Sequence, residues 1–216
     1  YKTPIAVSGT HGKTTTTSML AHILLAGKTD PTISVGGILK AIEGNIRVGN
    51  SDVFLTEACE YTNSFLDFFP KISVILNVEE DHMDFFKDLD DIMNSFRLFA
   101  KRLPKDGVLI INKEIKDYEK VTEGLECKVI TYGMDPSCTY HAENITFNAQ
   151  GFGEFDVMHH STNMGHIVLN VPGQHNVSNA LAVIAAARKL GISMEQIQSG
   201  LLGFSGANRR FQRKGE

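Results

Sequence analysis

Apolar residues fall into short, nearly unbroken runs that alternate with stretches of helical periodicity. Ile5-Ala6-Val7, Val53-Phe54-Leu55 and Ile72 to Leu76 are such runs, the pattern of central strands covered on both faces of a sheet. Between the first two, Thr14 to Ala26 carries Leu20 and Leu24 on one helical face with Met19 and Ile23 beside them, and Gly27 falls where a helix would close. From Asp88 to Leu103, Leu89, Ile92, Met93, Phe96, Ala100 and Leu103 recur at helical spacing until Pro104 stops the run. Val108 to Ile111 and Val129 to Thr131 read as further strands, with a charged, solvated helix predicted over Lys113 to Glu123. This alternation predicts an α/β fold with a mostly parallel, doubly wound sheet and flanking crossover helices.

Past residue 135 the pattern changes. Ile145-Thr146-Phe147, Phe155-Asp156-Val157 and Ile167-Val168-Leu169, separated by Gly151, Gly153 and Gly165, predict a small antiparallel side sheet over residues 139–171. Helical signals return from Asn176 to Leu190, closed by Gly191, and again after Ser193, where Gln196 three residues on completes a capping box. With no internal repeat or low-complexity segment, residues 1–208 are expected to be one domain. The start at Tyr1, almost on the first strand, and the basic, polar stretch 209–216 suggest an excised domain followed by the start of a linker to a C-terminal domain.

Composition narrows the function classes. A chain of 216 residues with 42% hydrophobic and 21% charged residues can bury a sizeable core and is neither disordered nor fibrous. The net charge of −4 gives no electrostatic reason to expect nucleic acid or a membrane surface as partner, so an anionic ligand must be held locally. No apolar run approaches the roughly 20 residues of a membrane span, and the first residues lack a signal-peptide pattern. A cytoplasmic location is expected. Cys59, Cys127 and Cys138, an odd number without CxxC spacing, read as reduced thiols.

The strongest chemical signal is Ser8-Gly9-Thr10-His11-Gly12-Lys13-Thr14-Thr15, between the first strand and the first helix. There the N–H groups of a glycine loop and a helix N-terminus converge on an anion, and the helix dipole adds positive charge. Gly12 permits close backbone approach, Lys13 reaches the β and γ phosphates, and the Thr14 hydroxyl can ligate Mg²⁺. Two residues separate Gly9 from Gly12, against four in the general pattern. The strand-turn-helix context favours nucleotide binding over a plain glycine turn, while His11 reads equally as a nucleotide contact or an ordinary loop histidine.

A triphosphate site needs a hard cation with oxygen ligands, and in a parallel sheet the ends of neighbouring strands share one edge with the phosphate loop. Two acidic stretches stand there: Glu57-Ala58-Cys59-Glu60 and Asn77-Val78-Glu79-Glu80-Asp81-His82-Met83-Asp84. Glu60, Glu79, Glu80 and Asp84 read as solvated loop acids. Glu57 follows directly on a buried strand, where a carboxylate is costly unless it meets a cation, and His82 in its acidic setting reads as a metal or phosphate ligand.

These two segments, together with Gly9 to Thr15, His175-Asn176-Val177-Ser178-Asn179-Ala180 and Arg209-Arg210-Phe211, occur in the order seen in Mur ligases. The chain resembles the central ATP-binding domain of that family, most closely its alanine-adding branch. The resemblance implies a P-loop-type fold and ATP-dependent amide ligation with Mg²⁺, joining the lactyl carboxylate of UDP-N-acetylmuramate to L-alanine in peptidoglycan precursor synthesis. Carried over, Lys13 and His82 are catalytic, Thr14 and Glu57 hold a first Mg²⁺, and His82 holds a second. Gly9 to Thr15 bind the phosphates. His175, Asn176 and Asn179 match the segment that meets the adenine, and Arg209 and Arg210 match linker arginines facing the phosphates or the nucleotide substrate. Read without the resemblance, Asn176 and Asn179 are helix caps, His175 is a loop histidine and the two arginines lie in a solvated tail.

Two positions depart from the family pattern. Members adding later residues carry a carbamylated lysine fifteen positions after the metal histidine, where this chain has Arg97, and Cys59 replaces an expected aspartate. Peptide-adding and folylpolyglutamate-like ligases, and a P-loop nucleotide switch, are the alternative readings.

Overall fold

The computed structural model describes residues 1–207; Arg209 and Arg210 lie outside them. The strands are β1 (Thr3–Ser8), β2 (Thr32–Leu39), β3 (Gly44–Arg47), β4 (Val53–Glu57), β5 (Ile72–Ile75), β6 (Val108–Asn112), β7 (Lys128–Gly133), β8 (Tyr140–Phe147), β9 (Phe152–His159) and β10 (Thr162–Pro172). The helices are α1 (Lys13–Ala26), α2 (Leu89–Ala100), α3 (Glu119–Thr122), α4 (Gln174–Lys189) and α5 (Met194–Gly203). All ten strands form one sheet in the order β10-β9-β8-β7-β6-β5-β1-β4-β2-β3. It is parallel from β2 through β8, with antiparallel strands at the two edges.

The strand runs divide their side chains between two cores, as the two-residue period of a strand requires. Ile5, Val7, Leu55, Val74 and Ile110 face the layer built by α1, α4 and α5. Ala6, Ile75, Leu109 and Ile111 face α2, α3 and the segment Tyr61–Asp67. Asp88 caps α2 by accepting from the Asp91 N–H at 2.9 Å, and Ser193 and Gln196 form the capping box of α5. The Gly27 N–H closes α1 on the Ile23 carbonyl at 2.8 Å. Within α1 every residue from Thr14 to Leu24 except His22 is buried, because α4, α5 and the sheet enclose it.

The structure refines two expectations and adds one hairpin. The expected antiparallel strands are present as β8, β9 and β10, and they extend the main sheet: β8 pairs in parallel with β7 through Tyr132 with Tyr140 and Gly133 with His141. That pairing covers an edge β7 would otherwise expose, and Phe155, Val157, Ile167 and Leu169 join the same core as α4. The helix predicted over Lys113 to Glu123 shrinks to α3, since this stretch buries only Ile115 and Val121 and lacks a continuous apolar stripe. The β2–β3 hairpin has no counterpart in the sequence pattern, because Gly36 and Gly37 interrupt the alternation of β2.

Candidate functional site

β1 lies between β4 and β5, and the order of the strands reverses there: the chain passes from β1 to β2 on one side, returns to β4 beside β1, and crosses from β4 to β5 and β6 on the other side. Such a switch point opens a crevice at the carboxyl ends of the strands. Three segments meet there: Gly9 to Lys13 after β1, Glu57 to Glu60 at the end of β4, and Asn77 to Asp84 after β5.

Gly9 (φ 140°) and Gly12 (φ 86°) are both outside the range comfortable for L side chains, and a Cβ on Gly9 would stand 3.0 Å from Leu76 Cβ. The loop is pinned to the segment after β5. The Thr10 N–H donates to the Asn77 carbonyl (3.2 Å), and the His11 N–H donates to Asn77 Oδ1 (2.7 Å) while Asn77 Nδ2 donates to the His11 carbonyl (3.0 Å). The Glu79 N–H donates to Thr10 Oγ1 at 3.0 Å. Among the described residues no side chain caps α1 at Gly12, which leaves the N–H groups of its first turn available toward the crevice. Thr15 is buried in that turn.

Lys13 Nζ donates back into its own loop, to the carbonyls of Gly9 (2.5 Å) and Thr10 (3.3 Å). It also meets both carboxylate oxygens of Glu60, at 3.3 and 3.0 Å. Glu60, expected to be a solvated acid, is 2% exposed; the chain turns after β4 and tucks the carboxylate under Lys13. Nothing local in the sequence signals this, since the pair is 47 residues apart.

Thr14 Oγ1 donates to Glu57 Oε2 (3.1 Å), and Glu57 Oε1 accepts the Gly36 N–H (2.6 Å). A cation could take the remaining lone pairs of Thr14 and Glu57. Among the described residues no group of three or more His, Cys, Asp or Glu side chains is arranged to hold a metal alone. Mg²⁺, which keeps several waters and completes its shell with phosphate oxygens, fits such a sparse donor set.

His82 stands at a left-handed backbone position (φ 53°) after β5. Its Nε2 is 3.9 Å from Glu60 Oε1 and 3.9 Å from Asp81 Oδ2, so it faces Glu60. Tyr61 lies against the imidazole with ring centroids 4.5 Å apart, and its hydroxyl donates to Asp84 Oδ2 at 2.8 Å. Neither Tyr61 nor Asp84 was singled out as functional from the sequence.

The asparagines of α4 are not caps. Gly173 holds the N-cap position, while Asn176 Nδ2 donates to the Pro172 carbonyl (2.7 Å) and Asn179 Nδ2 to Asn176 Oδ1 (3.1 Å). Asn179 lies against the phosphate loop, where its Oδ1 would be 3.4 Å from a Cβ on Gly12. His175 is exposed. His11 is exposed as well, 3.9 Å from Glu79. Arg97 pairs with Glu123 at 3.4 Å across α2 and the end of α3, and Cys59 is exposed. A cavity of about 390 Å³ bounded by Asn77, Glu79, Asn112 and Glu114 adjoins the loop.

Comparison with known proteins matches residues 7–187 to the Mur ligase middle domain. The UDP-N-acetylmuramate–L-alanine ligase of Lachnospira eligens is 55% identical over 216 residues, 100% of this chain and 47% of the relative. That of Clostridium novyi is 51% identical over the same shares. The chain thus spans about half the length of these curated relatives. Among solved structures, UDP-N-acetylmuramate:L-alanyl-γ-D-glutamyl-meso-diaminopimelate ligase from Neisseria meningitides superposes with a TM-score of 0.85 at 30% identity, covering 95% of this chain and 67% of that one. UDP-N-acetylmuramate-alanine ligase from Thermotoga maritima gives a TM-score of 0.83 at 30% identity, covering 97% and 46%.

Proposed function

The chain belongs to the Mur ligase family as its middle domain, and from that premise we propose that it is the ATP-binding domain of a ligase joining UDP-N-acetylmuramate to L-alanine. The observation that carries the reading is the convergence of a glycine phosphate loop, Lys13 and the Thr14–Glu57 pair at the switch point of the sheet. The names and identities of the relatives support the choice of substrates.

In this reading the γ-phosphoryl group passes to a carboxylate oxygen of UDP-N-acetylmuramate, giving ADP and an acyl phosphate. The alanine amine then attacks the acyl carbon, and phosphate leaves as the amide forms and the nitrogen loses a proton. Such chemistry is mostly positioning and charge neutralisation. The loop N–H groups from Gly9 to Thr15 bind the phosphates, and Lys13 supplies a mobile positive charge to the β and γ groups. Thr14 and Glu57 would hold a Mg²⁺ ion, which when bound neutralises phosphate charge. His82, facing Glu60 across the crevice mouth, stands on the acceptor side. Asn179 bounds the loop from α4, and His175, Asn176, Arg209 and Arg210 complete the nucleotide contacts in the same proposal.

Residues 1–208 act as the central domain, with 209–216 leading toward a C-terminal one, in a cytoplasmic enzyme. No helix among the described residues is long and apolar enough to cross a membrane. The test uses the full-length protein with ATP, Mg²⁺ and UDP-N-acetylmuramate. Phosphate release that depends on L-alanine is expected, whereas alanine-independent hydrolysis would overturn the ligase reading in favour of a nucleotide switch. The 216-residue chain alone should bind ATP without forming the alanylated nucleotide.

A further inference from the structure

Lys13 is fully engaged. An ammonium has three protons to donate, and here four acceptor oxygens surround it: the Gly9 and Thr10 carbonyls and both oxygens of Glu60. Phosphates entering the loop must therefore take Lys13 from existing partners. Glu60 is the partner that resists. Its side chain is 2% exposed and that of Lys13 16%, so separating them strands a buried carboxylate beside incoming anions, and an uncompensated buried charge is strongly destabilising. Among the described residues the imidazole of His82 stands near enough to take over from Lys13 as a donor to this carboxylate, with Nε2 at 3.9 Å from Glu60 Oε1 and Tyr61 packed against the ring. A cation between phosphate and carboxylate would serve the same purpose.

We propose that Glu60 is a positioning residue with two successive partners: it holds Lys13, as a latch, in the pairing described above, and turns to His82 or a divalent cation when phosphates claim the lysine. The latch makes nucleotide binding depend on compensation at Glu60. It couples the phosphate loop to the acceptor side of the crevice through one carboxylate. The inference rests on the reading of Lys13 as the phosphate-binding lysine, and it concerns polyphosphate nucleotides as a class.

The test is calorimetric titration of ADP into the full chain, first in chelator and then with Mg²⁺, for the unsubstituted protein, Glu60→Gln and Lys13→Ala. Glu60→Gln keeps the shape and one acceptor while removing the charge, so metal-free ADP should bind about tenfold tighter. The additional gain from Mg²⁺ should shrink by a similar factor. Metal-free affinity of Glu60→Gln equal to or below that of the unsubstituted protein, with Lys13→Ala still weakened, would overturn the latch alone. Unchanged affinity in folded Lys13→Ala would overturn the phosphate-loop reading and the latch with it. A crystal structure of the unsubstituted protein with metal-free ADP gives an answer independent of variant folding: Lys13 Nζ should lie on phosphate and beyond hydrogen-bond reach of Glu60. A retained Lys13–Glu60 pair beside bound ADP would refute the proposal.

Discussion

Gly200 sets how closely α5 approaches α1, the helix that begins with Lys13 and Thr14. A Cβ added to Gly200 would stand 2.6 Å from Ile23 Cα, 2.8 Å from Ile23 N and 3.0 Å from Ile23 Cγ1. Ordinary carbon contacts lie near 3.5–4.0 Å, so Gly200→Ala requires the helices to part by about an ångström. The obstacle is the backbone of a helix enclosed by α4, α5 and the sheet, which has no side-chain rotamer to give way. Overpacking a well-packed interior costs about 1–3 kcal/mol, while alanine in place of glycine inside a helix gains about 1 kcal/mol. With backbone as the obstacle the upper part of that range applies, and a net loss of about 1–2 kcal/mol is expected. For a domain of this size that lowers Tm by about 2–8 °C. Thermal and urea unfolding of the chain measure it directly, and Mg²⁺-ATP affinity should fall as well because the displaced helix carries the phosphate loop. A Gly200→Ala protein as stable as the original, or more so, would show that helix propensity outweighs the packing and that the α1–α5 contact is looser than described.

Other expectations concern the site and its surroundings. Glu57→Ala should weaken Mg²⁺-ATP binding more than His82→Ala does, whereas His82→Ala should act chiefly on turnover of the full-length enzyme; wild-type turnover in both would refute the metal assignments. Asn179→Ala leaves the side-chain oxygen of fully buried Asn176 without its donor and should cost about 1–3 kcal/mol of stability, read by urea denaturation. The Arg47 guanidinium, with donors from Asn50, holds the Asp30 carboxyl down to about 2. Its stabilising contribution is therefore complete above the ordinary carboxylate range and is lost as pH falls toward 2. Asp30→Asn, which tolerates the left-handed backbone there (φ 49°), should reduce the acid dependence of stability between about pH 4 and 2; an unchanged acid limb would refute the assignment.

Much of the fold could be read from neighbouring residues. The apolar runs of β1, β4, β5 and β6, the end of α1 at Gly27 and the Ser193–Gln196 capping box depend on side chains within a turn or a strand of one another. The phosphate loop is equally local, since Gly9, Gly12, Lys13 and Thr14 act within one strand-to-helix turn. Glu57 was legible because a carboxylate directly after a buried strand demands a partner. Glu60, three residues on, was not. Whether it faces water or Lys13 depends on β4 lying beside β1, a pairing that brings together side chains 47 positions apart. The same holds for the Thr14–Glu57 contact, for Asn179 against Gly12 and for Gly200 against Ile23. Hydrophobic periodicity states which side of each element is buried; it carries no term for which element is packed against that side. Strand order and helix docking supplied that, and through them the charge environment of the site.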